Sequence, residues 1–298
     1  MNLPRWPLIK TLLLLVALSV LLAACSRVGL AYRNLDWLIP WQLDDYLSLT
    51  STQKTWLKPR LQSHLEWHCS SELPRYIDWL QRSERLLKQT NPSASQLSEQ
   101  FAELDGALKR VTAEITPTAI ELLQTLNPSQ VADLYAVLDE DNREDRLDFL
   151  EPPLATQISQ RAARMQKRLR PWFGQLNELQ QARIGEWAQT LGEQNRLWLD
   201  NRLRWQTELR TVLDARRSAD FPLRLTHLLQ ERESVYQDDY RAVYARSRQA
   251  MIELFSDLLA SADNKQREHL SARLRALRRD LAEQACAPAS RVAAGASR

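Results

Sequence analysis

The chain has 298 residues, with 40 Lys and Arg against 37 Asp and Glu, a formal charge of +3, six glycines and three cysteines. A balance this close to neutral gives no reason to expect nucleic acid as a partner. Leu, Ala, Arg, Gln and Glu dominate and long alternating runs of Val, Ile and Thr are missing, so a sheet-based fold is excluded and an all-α, irregular multi-helix bundle is expected.

The first 24 residues read as a signal peptide. Arg5 and Lys10 make a basic start, and Thr11 to Ala24 carries no charge. That stretch is shorter than the roughly 20 apolar residues a spanning helix needs. A basic start, a short apolar core and small residues form the pattern of a cleaved leader. Leu22-Ala23-Ala24 then meets Cys25. Removal of the leader takes away Arg5 and Lys10 and brings the formal charge to +1. Residues 25–34 follow as a tether, 35–286 as the helical domain with a lobe boundary near 151–153, and 287–298 as a disordered tail.

Helix starts are marked by a recurring device. Leu49-Thr50-Ser51-Thr52-Gln53 places Thr three residues before Gln, a capping box. The Thr50 hydroxyl can accept from the Gln53 N–H while the Gln53 side chain reaches back. Leu126-Asn127-Pro128-Ser129-Gln130 and Leu176-Asn177-Glu178-Leu179-Gln180 repeat it, and Ala262-Asp263-Asn264-Lys265-Gln266 is a degenerate fourth copy. The copies are irregularly spaced, which argues against a fixed-period solenoid. Pro59 is expected to kink the first such helix, and Ser70-Ser71 to end it. Asn91-Pro92-Ser93 starts a helix to about Ile115, and Thr116-Pro117 starts a separate short one. Glu151-Pro152-Pro153 breaks the chain, and Leu191-Gly192 interrupts the helix from Glu178. Two long helices, near 234–261 and 264–285, close the fold.

Few residues suggest chemistry. His64 and His68 lie four apart, a spacing that can chelate zinc or copper on an unbroken helix, although the order H-L-E-W-H displaces the general base of a zinc peptidase. They are weak metal candidates; catalytic and cofactor-binding residues are not otherwise indicated. Asp44-Asp45 is a paired carboxylate, but adjacent helical residues do not face each other. The basic run Arg161, Arg164, Lys167, Arg168 and Arg170 could meet anionic lipid or peptidoglycan, a solvated face being the plainer reading. Tyr32, Trp37, Trp41, Tyr46, Trp56, Trp67, Tyr76 and Trp79 crowd the first quarter; packing against the bundle core is the expected role, a seat at the lipid headgroup level the alternative. Cys69 and Cys286 could form a disulfide or remain free thiols.

Leu22 to Cys25 resembles the lipobox of bacterial lipoproteins. That resemblance implies diacylation of the Cys25 thiol, cleavage before it and a membrane anchor; Ser26 next to it favours the periplasmic face of the outer membrane. L-A-Y-R-N-L-D-W-L from Leu30, L-D-D-Y from Leu43 and E-L-P-R-Y at Glu72 to Tyr76 resemble an uncharacterised family of proteobacterial lipoproteins. The repeated L-[TN]-x-x-Q is similar to the motif of small periplasmic helical chaperones. The expected function is a non-enzymatic interaction or chaperone-like module with a protein partner or client and no cofactor. A metal-assisted envelope hydrolase using His64 and His68, or a structural lipoprotein contacting peptidoglycan, are the alternatives.

Overall fold

The computed structural model describes residues 29, 32–89 and 92–284. The leader, Cys25 and the expected tail all lie outside these residues. Within them the fold is helical with no strand. The helices are α1 (Leu35–Leu47), α2 (Ser51–Trp67), α3 (Leu73–Leu87), α4 (Ala94–Gln124), α5 (Pro128–Phe149), α6 (Leu154–Phe173), α7 (Glu178–Thr190), α8 (Gln194–Asp214), α9 (Phe221–Gln230), α10 (Asp238–Ala260) and α11 (Asn264–Ala282). None of them is long and apolar enough to cross a membrane.

The capping boxes form as their residue types dictate. At α2 the Gln53 N–H donates to the Thr50 hydroxyl at 3.2 Å, and the Thr50 N–H donates to Gln53 Oε1 at 2.9 Å. The same reciprocal pair opens α5 at Asn127/Gln130, α7 at Asn177/Gln180 and α11 at Asp263/Gln266. Ser93 and Gln96 add another at α4. Each satisfies two of the backbone groups that a helix start leaves orphaned.

The boxes also meet each other in pairs. Gln53 and Gln130 exchange side-chain amide bonds at 3.3 and 2.8 Å, and Gln180 and Gln266 do so at 3.0 and 2.9 Å. Each amide then closes the turn before its partner's box. Gln130 Nε2 donates to the Leu47 and Ser48 carbonyls, and Gln53 Nε2 to Thr125 Oγ1. Gln266 Nε2 donates to the Gln175 carbonyl. The residue ahead of the boxes at α2, α5 and α7 is a buried leucine: Leu49, Leu126 and Leu176.

One apolar core surrounds each pair. Leu49, Leu57, Leu126, Val131, Leu213 and Phe221 belong to the first. Leu73, Leu169, Leu176, Ile184, Leu258 and Leu270 belong to the second. Both cores draw on residues before and after 151–153, so they interleave along the chain. The loop itself is present, between Phe149 and Leu154.

Two local expectations are corrected. Pro117 does not separate two helices, since α4 runs through it. The missing N–H would have met the carbonyl of Ala113, which is exposed and can bond to water instead. Pro59 sits on an exposed face inside α2, which runs through it. The break at Ser70-Ser71 is replaced by one π-helical turn, His68–Glu72, which joins α2 to α3 in a continuous helical segment. Tyr32, from the expected tether, packs against the second core.

Candidate functional site

The two candidate histidines turn to different partners. His64 Nδ1 lies 3.0 Å from Glu114 Oε1, and its Nε2 lies 2.7 Å from Thr118 Oγ1. The order hydroxyl, imidazole, carboxylate imitates a nucleophilic triad. Such a triad needs backbone or side-chain donors aimed at a developing oxyanion. Thr118 sits in the middle of α4, where backbone N–H groups are consumed by the helix, and Pro117 beside it has none. What the three side chains do visibly is tie α2 to α4. His68 starts the π-helical turn between two tyrosines, with Tyr32 Oη 3.1 Å from Nδ1 and Tyr76 Oη 3.4 Å from Nε2. Burial pushes the His68 pKa down and both tyrosine pKa values up. The structure does not bring His64 and His68 together on an ion: among the described residues, no group of three or more His, Cys, Asp or Glu could hold a metal.

Beneath His68 the π-helical turn buries a carboxylate. Glu72 is 1% exposed and accepts two 2.8 Å bonds from Arg110 Nε and Nη2. These bonds hold its pKa below the usual carboxylate range. Cys69, on the same turn, is buried and disulfide-bonded. The other two cysteines, Cys25 and Cys286, lie outside the described residues.

The remaining expectations sort by burial. Asp44 accepts from Lys54 Nζ at 2.7 Å and from the Leu49 N–H at 2.8 Å, and the lysine bond draws its pKa down. Asp45 is exposed, so the paired carboxylates diverge as adjacent helical residues must. Arg161 does not join a solvated basic face. It is 6% exposed and caps the end of α7, donating to the Ala188 and Gly192 carbonyls at 2.7 and 3.0 Å. Lys167, Arg168 and Arg170 do face solvent. Most of the N-terminal aromatics pack inward, among them Tyr46, Trp56, Tyr76 and Trp79. Trp37 and Trp41 do not: they are 55% and 56% exposed, because the inward face of α1 is taken by Leu43, Tyr46 and Leu47.

One concave site was not marked by any motif. A cleft of about 370 Å³ opens between α1, α5, α8 and the start of α10, walled by Trp198, Trp205, Tyr236 and Tyr240. Tyr236 and Tyr240 meet edge to face at 4.9 Å, and Tyr244 extends the row, 5.6 Å from Tyr236. The cleft's charges are largely matched. Arg202 pairs with Asp145 and lies 3.7 Å from Asp141, which also accepts from the Tyr46 hydroxyl at 2.9 Å. Asn201 lines the cleft, and its buried Oδ1 has no hydrogen-bond partner among the described residues. Across Tyr236 and Arg232 a second cleft of about 450 Å³ reaches Leu108 and Tyr244. Leu108 belongs to an exposed apolar stripe on α4, with Leu104 and Ile115 at helical spacing. The only prior sign in the sequence was the four-residue spacing of Tyr236 and Tyr240, which reads equally as an ordinary core face.

The model of a family of unknown function, DUF6279, matches residues 45–241, well over half of the chain. The chain belongs to that family. The matched span carries the first three Leu-led capping boxes and the named walls of the aromatic cleft, Trp198 to Tyr240, and ends before α11. No curated protein and no solved structure matches the chain.

Proposed function

We propose that this member of the family is an envelope lipoprotein, acylated at Cys25, which faces the periplasm from the outer membrane and works as a non-enzymatic binding module for polypeptide. The leader and lipobox pattern supports the address. The disulfide at Cys69 supports it independently, because such bonds persist in oxidising compartments.

The observation that carries the binding role is the aromatic cleft and the apolar stripe that continues from it. Trp, Tyr and Arg are the residues enriched where proteins bind one another. Here Trp198, Tyr236 and Arg232 stand at an open cleft, and Leu104 and Leu108 prolong it along α4. An extended or helical segment of a client fits such a surface better than a small molecule, which favours a more enclosed pocket. The hydrolase alternative loses support, since both ring nitrogens of His64 and of His68 face partners within the fold. The peptidoglycan alternative loses Arg161 from its basic face.

The test is aggregation of a reduced, unfolding client protein followed by light scattering. The purified protein should suppress scattering, and a Trp198→Ala/Leu108→Ser variant should suppress it several-fold less while melting at the same temperature. Equal suppression by both proteins, or none by either, would sink the binding role.

A further inference from the structure

We infer that α1 is a second membrane contact, laid on the lipid headgroups through Trp37 and Trp41; this rests on the acylation of Cys25 proposed above. The two indoles are one helical turn apart and share the outward face of α1. The opposite face is occupied, since α1 packs on α2 and α5 and buries Leu47. Trp37 is held in place by its Nε1–H, which donates to Asn34 Oδ1 at 3.1 Å. Arg33, one turn earlier, is exposed and has no ion-pair partner among the described residues. Two exposed indoles on one helix face are what the membrane interface favours.

Position along the chain selects lipid as the occupant. Cys25 precedes Trp37 by 12 residues in the sequence. Those residues span about 18 Å as helix and at most about 43 Å fully extended. An anchor at Cys25 therefore leaves the pair within reach of the bilayer, at most about 43 Å away. The near end of α1 is neutral, exposed Arg33 against exposed Asp36, while the far end carries Asp44, paired with Lys54, and Asp45. An anionic leaflet therefore holds the far end off more than the near one. Stable anchoring generally takes two signals, and the indoles would add to the acyl chains.

The experiment is tryptophan quenching by brominated lipid. The acylated protein is reconstituted into vesicles of phosphatidylethanolamine and phosphatidylglycerol, with and without brominated chains. Wild type should lose emission to the brominated lipid, Trp37→Phe/Trp41→Phe should lose at least about half of that quenching, and Trp198→Phe should keep it. The same reading is taken on a chain whose residues 1–24 are replaced by a hexahistidine tag held to nickel-chelating vesicles. Mass analysis of the N-terminal peptide tests acylation separately. An unmodified Cys25 with quenching retained on the tagged chain removes the lipoprotein reading and leaves the contact standing. Equal quenching in wild type and Trp37→Phe/Trp41→Phe, or none in either, overturns the contact and leaves the pair to a protein surface.

Discussion

Gln180 and Gln266, 86 residues apart in the chain, give and accept an amide hydrogen bond each way within the second core. Gln53 and Gln130 repeat the relationship in the first core, 77 residues apart. Each glutamine thus does three things: it caps its own helix, it pairs with its counterpart, and it is buried among leucines. A glutamine has an acceptor and two donors on one planar group, so a single residue type can meet all of these demands.

Removing both members of a pair should therefore cost less than the two single truncations added together. Gln180→Ala strands the buried amide of Gln266 and should lower unfolding stability by about 1–3 kcal/mol. Gln180→Leu/Gln266→Leu should cost clearly less than the sum of the two single changes. Urea unfolding in a double-mutant cycle reads this directly; strict additivity would show that the reciprocal bond contributes nothing of its own.

The disulfide at Cys69 offers a check on the anchor. An acylated Cys25 has no thiol left to share, so the bond must then go to Cys286. The packing agrees. α11 runs antiparallel to α3, with Arg267 at the Leu87 carbonyl and Arg275 at Glu84. Its C-terminal end therefore approaches the start of α3, next to Cys69. Peptide mapping without reductant should recover Cys69 linked to Cys286. Recovery of Cys69 linked to Cys25 would refute acylation. Replacing Cys69 and Cys286 by Ser should lower stability by about 2–4 kcal/mol.

Breaking the ion pair of the π-helical turn leaves a carboxylate with almost no solvent. Arg110→Met should destabilise the fold by about 3 kcal/mol, near the lower end for a buried pair, because Arg75 remains 3.6 Å from the same oxygen. The pH dependence has a definite sign. The folded pKa of Glu72 lies below its unfolded value, so its contribution is present above about pH 4.3 and is lost as pH falls through the folded pKa. Acid unfolding of wild type and Arg110→Met should differ most above that range and converge below it.

His68 titrates higher up. Its folded pKa is also below its unfolded value, here because burial disfavours the imidazolium. The unfolded chain takes up the proton first as pH drops. The contribution of His68 is therefore full above about pH 6.5 and is lost between there and its folded pKa. The urea midpoint should fall from about pH 7.5 to about pH 5.5 in wild type, and His68→Gln should flatten that slope. An unchanged slope in the variant would place the titrating group elsewhere.

Local chemistry accounts for what could be read in one dimension. Thr50, Asn127, Asn177 and Asp263 announce their helices because a cap is decided within four residues of chain. Helical class follows from composition, and the loop after Leu150 from two consecutive prolines. Partnership is a different matter. Nothing in the spacing of the boxes says that Gln53 meets Gln130 rather than Gln180, that the cores interleave across residues 151–153, or that Arg161 turns inward to cap α7 while Trp37 and Trp41 turn outward. Those outcomes depend on which helix faces are left free once others have packed, a property of the whole assembly. The aromatic cleft belongs with them: Tyr46, Trp198 and Tyr240 come from three distant helices, and only tertiary packing sets them around one space.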